Sequence, residues 1–337
     1  MSGGNSVAGR PTIRDVAAAS GVSVGTVSQA LNGKGRMDEK TRVRIREAAS
    51  RLGYVPNPRA RALRTGATNT IGLVASLLRS EETTPQSGMS WYLRTAVAAA
   101  QESLAAGYAL TLVPPRGPHG WVQEFAVDGV LVIDPDPDDD QLSTLRGRGL
   151  PVVVISGDPE QTDVTTVSID WRSAVDLVAA HVAERGAHHL GLIIDSSERQ
   201  TARGTERAYR DWCAHQGVPP RIAVARLGEG FAQAGEVACA ELCDEYPEVD
   251  AIYAPLDTVA AGAWRYLAAA DRAGSGRRVH LVTSEGQVAR THTPPLTGVD
   301  TRREELAVTA TRLLLDQIRT GTPGESVVFE TGLVVRD

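Results

Sequence analysis

Residues 12–33 read T-I-R-D-V-A-A-A-S-G-V-S-V-G-T-V-S-Q-A-L-N-G, and the rest of the chain is organised around this stretch. Thr12 is a good helix N-cap, and Asp15 three residues on places a carboxylate near the helix start. Ile13, Val16 and Ala17 fall at i, i+3 and i+4, one face of a helix. Gly21 suits a helix end. Ser23 caps a second helix, on which Val27 and Leu31 lie four apart and face inward. Two short helices joined through a glycine make the helix-turn-helix pattern. Asp38 caps a third helix with an inward row of Ile45, Ala48, Ala49 and Leu52. Its outer row carries Lys40, Arg42, Arg44, Arg46 and Arg51.

Spacing alone also fits a plain structural three-helix bundle; charge decides against it. Residues 1–69 hold 12 lysines and arginines against 4 acidic residues, a net +8. The rest of the chain holds 23 against 37, a net −14, so the overall −6 hides a basic head on an acidic body. A basic head gains from releasing counterions on phosphates, whereas an acidic body is repelled by DNA. After the head, residues 54–64 read Y-V-P-N-P-R-A-R-A-L-R. Pro56 and Pro58 disfavour helix in the residues before them. Pro58–Arg64 is too short to be a stable helix alone. Leu63 stands apolar among Arg59, Arg61 and Arg64, with little beside it to bury it.

The motif D-V-A-x-x-(A/S)-G-V-S-x-x-T-V-S-x-x-L-N, continued by K-T-R, L-G-Y-V-P-N and A-R-A-L-R-T-G, resembles the lactose-repressor (LacI) family of bacterial transcription regulators over about 55 consecutive positions. The resemblance implies a recognition helix from about Val24 to Asn32 in the major groove, with Val24, Gly25 and Gln29 facing base edges. Gln bonds both edges of adenine and Val contacts a thymine methyl, while Gly25 offers no side chain. Thr12, Ser23, Thr26, Ser28 and Asn32 would contact phosphates or cap helices. Arg36 and, in the hinge, Asn57, Arg59, Ala60 and Leu63 complete the implied DNA-contact set. In the family the hinge folds on operator DNA, two copies lie side by side in the minor groove, and the leucine at Leu63 wedges into the central base step. Leu63→Ala is therefore expected to lower operator affinity with little change in thermal stability. Operator affinity equal to wild type would remove the wedge.

From Thr70 the period changes. Short apolar runs alternate with Ala-rich helical stretches, the pattern of a parallel, doubly wound sheet with covered faces. Strands are expected at 71–75, 109–113, 129–133, 152–155, 190–194, 250–254 and 279–283. Helices are expected near 89–106, 138–148, 171–186, 205–216, 231–246, 257–270 and 302–320. The fold class is an all-α helix-turn-helix head plus an α/β, two-lobed, periplasmic-binding-protein-like sensor. The division is a flexible tail over 1–10, the helix-turn-helix domain over 11–56, a hinge helix and linker over 57–69, and a ligand-binding and dimerisation domain over 70–337. The first lobe takes about 70–157 and 291–320, the second about 158–290 and 322–337.

Ligands of such folds sit at the carboxyl ends of strands. By position the effector candidates are Ser76, Ser156, Arg203, Asp257 and Glu285. Here the sequence departs from its sugar-responsive relatives. Leu256-Asp257 stands where many carry Asn-Asp, and T-S-E-G stands where many carry Gly-Phe-Asp-Asp. The usual arginine falls on Thr205, with Arg203 close by. Asp257 also reads as a carboxylate at a helix start, Glu285 as a loop residue, and Arg203 as surface. An effector other than a typical hexose, or altered ligand control, follows from these departures.

The three cysteines, Cys213, Cys239 and Cys243, form no C-x-x-C and fit packing in a reducing cytoplasm. Residues 1–9 lack a signal peptide's apolar run, and no stretch approaches the ~20 apolar residues of a membrane span. No G-x-x-x-x-G-K-[ST] loop, G-x-S-x-G elbow or H-E-x-x-H occurs. The acidic run 134–140 lacks the glycine and distal Glu of a calcium loop and reads as a solvated segment. No catalytic residue, cofactor or metal is expected. The reading is a cytoplasmic, non-enzymatic repressor. Its partners are double-stranded operator DNA, a second copy of itself and a small-molecule effector such as a sugar or sugar derivative. Two alternatives stay open: a regulator that no longer senses a ligand, and a small-molecule binding protein without a DNA role.

Overall fold

The computed structural model describes residues 11–31, 36–55, 66–75, 89–113, 126–136, 140–158, 160, 163–226, 230–272 and 278–336. Two compact units divide between Thr68 and Asn69.

In the first unit, helices α1 (Ile13–Ser20), α2 (Val24–Leu31) and α3 (Glu39–Leu52) enclose a small core. Val16, Ala17, Val27, Ala30, Ile45, Ala48 and Ala49 fill it, and Ile13, Val22, Leu31, Met37 and Tyr54 pack at its edge. Each start has its own cap. The Thr12 N–H donates to Asp15 Oδ2 at 2.7 Å. The Thr26 N–H donates to Ser23 Oγ at 3.1 Å. The Lys40 N–H donates to Asp38 Oδ1 at 3.3 Å. Gly21 and Gly53 end α1 and α3 in the left-handed region, where a side chain would be strained. Thr12 holds the Asp15 carboxyl below its usual range, through the backbone hydrogen bond first. Leu52, expected inward, is exposed, because the core row of α3 ends at Ala49.

The second unit contains two six-stranded sheets. The first is built from β1 (Thr70–Ala75), β2 (Ala109–Val113), β3 (Gly129–Ile133), β4 (Val152–Ile155), β5 (Thr165–Ile169) and β11 (Val327–Phe329). Its order is β11-β5-β4-β3-β1-β2, and all of its pairings are parallel. The second is built from β6 (Leu190–Asp195), β7 (Ile222–Ala225), β8 (Ala251–Ala254), β9 (His280–Ser284), β10 (Thr297–Asp300) and β12 (Gly332–Val334). Its order is β12-β10-β9-β8-β6-β7, with β12 alone antiparallel. The long apolar strands run fully buried, as sheets covered on both faces require. The helices are α4 (Met89–Ala105), α5 (Asp140–Gly147), α6 (Trp171–Glu184), α7 (Gln200–Gln216), α8 (Phe231–Glu245), α9 (Asp257–Arg272), α10 (Gln287–Thr291) and α11 (Arg303–Thr320).

Three lobe assignments change. Residues 165–169, expected in the second lobe, form β5 of the first sheet. Residues 297–300, expected in the first lobe, form β10 of the second sheet. Residues 327–329, expected in the second lobe, form β11 of the first sheet. The chain thus crosses between lobes at 170, 301–302 and 330–331. Strand β5 reads T-T-V-S-I and looks polar, yet it is buried throughout. Two of its three hydroxyls are hydrogen-bonded: Thr165 Oγ1 donates to the Gly324 carbonyl at 2.9 Å and Ser168 Oγ to the Gly157 carbonyl at 2.9 Å, while Thr166 Oγ1 is buried without a partner. Helix α11 packs on α4 and on β3, β4 and β5 of the first sheet through Leu306, Ala310 and Leu314. Cys213, Cys239 and Cys243 are buried thiols, none of them in a disulfide.

Candidate functional site

On the head, α2 presents Val24, Gly25 and Gln29 to solvent. An exposed valine in a helix of eight residues has no core role to explain it. A Cβ on Gly25 would meet only Ser23 Oγ, at 3.7 Å, so the exposed side of α2 has room there. Thr12 and Ser23 are exposed and occupied as caps, with Ser23 Oγ also 2.9 Å from Thr26 Oγ1. Thr26 and Ser28 are half-buried and Arg36 is exposed. Asn32, Asn57, Arg59, Ala60, Leu63 and Ser76 lie outside the described residues.

In the second unit a cavity of about 900 Å³, counted with its open mouth, lies at the carboxyl ends of strands from both sheets. Ser156 follows β4, Asp134 follows β3, Asp195 ends β6, and Asp257 follows β8 at the start of α9. Trp171, Phe231 and Tyr253 supply aromatic walls. Ser156 and Asp134 both hold positive φ, 58° and 49°, in a region unfavourable for residues with side chains.

Two of the candidates expected from sequence line this space, Ser156 and Asp257. Arg203 is exposed on α7 and does not line it; Thr205 lines it instead. Glu285 does not line it either, although it is buried. Arg336 donates from Nη1 to Glu285 Oε2 at 2.6 Å and from Nη2 to Oε1 at 2.9 Å, and Arg290 Nε donates to Oε1 from the other side. Burial alone would raise the Glu285 carboxyl, but Arg336 and Arg290 hold it below its usual range. Its carboxylate is spent on fastening the C-terminal residues to the second sheet, where Thr297 Oγ1 and Arg336 also exchange hydrogen bonds at 2.9 Å.

Sequence reasoning missed the groups that dominate the cavity. Arg199 is buried, with Nε donating to Ser197 Oγ at 3.0 Å, Nη1 to the Tyr92 hydroxyl at 2.9 Å, and Nη2 to Asp195 Oδ1 at 3.4 Å. Burial opposes its charge, but Tyr92, Asp134 and Asp195 together hold its pKa above the usual value. Asp134 is the first residue of the acidic run read as solvated, yet it is buried, and burial pushes its carboxyl up against the pull of Arg199. Asp257 behaves alike: burial raises it, while Arg303 and the Val288 N–H, 3.2 Å from Oδ2, oppose. Burial in turn pushes the Arg303 guanidinium down to about 10, with Asp257 opposing. The cavity therefore presents paired opposite charges between apolar walls. Among the described residues, no cluster of His, Cys, Asp and Glu has the geometry to hold a metal ion.

Residues 12–57 match the family described as bacterial regulatory proteins, lacI family, and residues 179–337 match a periplasmic binding protein-like domain. The HTH-type transcriptional regulator CelR of Thermobifida fusca is 32% identical over 97% of this chain and 98% of its own. The chain belongs to the LacI family. Another relative in the LacI family is the HTH-type transcriptional repressor PurR of Proteus mirabilis, 28% identical over 91% of this chain and 90% of its own. A solved complex of the transcriptional regulator CelR with cellobiose matches at TM-score 0.68 and 27% identity, covering 97% of this chain and 99% of that one. The Lac repressor dimer bound to operator and the anti-inducer ONPF shares the fold at TM-score 0.80 and 20% identity, covering 97% and 98%. As a LacI-family member this chain is a DNA-binding transcription regulator whose activity is modulated by a small ligand. Its relatives are regulators, not enzymes.

Proposed function

We propose that the protein represses transcription as a homodimer on a pseudo-palindromic operator, and that its effector is a neutral, polyhydroxylated compound of disaccharide size. The cavity between the two sheets carries this reading. Its lining combines aromatic walls with a few convergent polar groups, the character of small-molecule sites. Arg199 is already paired with Asp134 and Asp195, and the Asp257 charge acts on Arg303, so a charged ligand would meet a like charge on entry. Trp171, Phe231 and Tyr253 offer flat apolar faces to a sugar ring, and the carboxylates offer acceptors to hydroxyls. Cellobiose in the CelR complex has this character.

In the head, Val24 and Gln29 read base edges and the capping hydroxyls of α2 sit toward phosphate. One hinge per subunit must pair across a two-fold axis, which makes the operator pseudo-palindromic. A cytoplasmic, non-enzymatic role on chromosomal DNA accords with this reading. No described helix is long and apolar enough to cross a membrane.

Titration calorimetry of the full chain with cellobiose, maltose, glucose and glucuronate tests the effector class. A neutral disaccharide is expected to bind at least tenfold more tightly than glucose and glucuronate. Trp171→Ala should weaken that binding by tenfold or more, about 1.4 kcal/mol. Tight binding of glucose or glucuronate, or no binding by any of the four, would overturn this assignment.

A further inference from the structure

Helix α7 begins without a cap of its own. Its N-cap residue is Arg199, in extended conformation, and the Arg199 side chain makes no hydrogen bond to the first turn. The missing acceptor comes from the other lobe. Asp134, just past β3 of the first sheet, accepts on Oδ1 from the Thr201 N–H at 2.8 Å and from the Thr201 hydroxyl at 2.7 Å. The neighbouring Pro135 carbonyl accepts from the Gln200 N–H at 3.3 Å. The first turn of a helix in one lobe is thus capped by a carboxylate of the other, where orphan N–H groups and the helix dipole favour negative charge.

The exchange runs both ways. Arg199 reaches back into the first lobe, where Nη1 donates to the Tyr92 hydroxyl at 2.9 Å and stands 3.8 Å from Asp134 Oδ2. Tyr92, Asp134 and Arg199 are only 7%, 5% and 9% exposed. Asp134 is held at its positive φ by its own N–H, which donates to the Ile155 carbonyl at 2.8 Å in the neighbouring strand.

We propose that Asp134, Arg199, Tyr92 and Thr201 form a latch that holds the two lobes closed with no effector present. Separating the lobes strips α7 of its cap and parts a buried carboxylate from its guanidinium, so the closed arrangement is favoured by the chain's own side chains. An effector then enters a cleft that is already closed and signals by loading or loosening the latch, instead of supplying the bridge between lobes. Asp134 and Arg199 are positioning residues in this scheme.

Pulsed electron-electron resonance on the full chain reads this directly. Spin labels are placed by Arg148→Cys in the first lobe and Asp244→Cys in the second, both exposed positions, while Cys213, Cys239 and Cys243 stay buried. With the doubly labelled chain diluted into excess unlabelled protein, so that only the distance within one chain is read, and without DNA or sugar, the otherwise wild-type protein is expected to give one narrow distance distribution. Adding Asp134→Ala should move it to longer distances and broaden it. Tyr92→Phe, which removes a single hydroxyl, should broaden it less and serves should Asp134→Ala fail the circular-dichroism check of folding. A broad distribution in the unmutated protein, or one unchanged by these substitutions, would overturn the latch. Because neither operator nor effector is present, this outcome is independent of the effector class proposed above.

Discussion

Asp257→Ala will lower the stability of the second unit by about 1–3 kcal/mol, the cost of leaving the part-buried Val288 N–H without its acceptor, and it also takes away the carboxylate whose charge most opposes the burial of Arg303. Asp257 is 6% exposed and Arg303 is 6% exposed. Burial already pushes the Arg303 guanidinium down to about 10, with the Asp257 charge as the leading opposition. The Val288 N–H donates to Asp257 Oδ2 at 3.2 Å, and the substitution also takes a carboxylate from the start of α9. Asp257→Asn keeps an acceptor for that N–H and loses only the charge, so its loss should be smaller. Arg303→Met in the Asp257→Asn background removes the stranded cation and should recover part of the stability. Urea unfolding of wild type, Asp257→Asn, Arg303→Met and the double variant closes the cycle and gives the coupling between the two sites. A loss below about 1 kcal/mol for Asp257→Ala would mean that Arg303 is solvated or paired elsewhere.

Gly262→Val is the second large effect. Helices α8 and α9 cross at contact distance through facing glycines. A Cβ on Gly262 would stand 1.8 Å from the Ala232 carbonyl oxygen, and one on Gly235 would stand 2.0 Å from the Val259 carbonyl oxygen. Both obstacles are backbone, so no rotamer change relieves them and the helices must part. Overpacking costs about 1–3 kcal/mol where side chains can shift. Here the expected loss is at the top of that range or beyond. The damage reaches the cavity, because Phe231 and Asp257 stand at the starts of these two helices. Gly147→Ala is the control. It sits at the end of α5 with nothing within 4 Å of its Cβ, and should change stability by no more than about 1 kcal/mol. Thermal unfolding separates the two outcomes. Equal melting temperatures for Gly262→Val and wild type would contradict the close helix crossing.

The head was legible almost residue by residue, because its caps, helix period and glycine stops are local signals. Leu52 strayed because the helical row continues past the point where the small core ends. In the body, V-V-V-I and G-V-L-V-I announce buried strands, and β3 and β4 fall where expected. T-T-V-S-I does not announce one, since the bonds that let the Thr165 and Ser168 hydroxyls be buried come from Gly324 and Gly157. The lobe boundaries slipped with it. The cavity was the least legible part. Arg199 stands at the first turn of α7, which begins five residues before the 205 expected from sequence, so the search for a cation settled on Arg203 instead. Asp134 and Tyr92 meet Arg199 across 65 and 107 positions of chain, and no local pattern encodes that meeting. Glu285 was drawn away from the cavity by Arg336 at the far end of the sequence.

The central claim is specific operator binding under ligand control. It is tested most directly by fluorescence anisotropy of the full chain on overlapping fragments of its own promoter region, over a salt series, with and without cellobiose. One fragment should bind far more tightly than the others, with an affinity that falls steeply with salt and shifts when the sugar is added. Equal, weak binding to every fragment, unchanged by the sugar, would contradict the account.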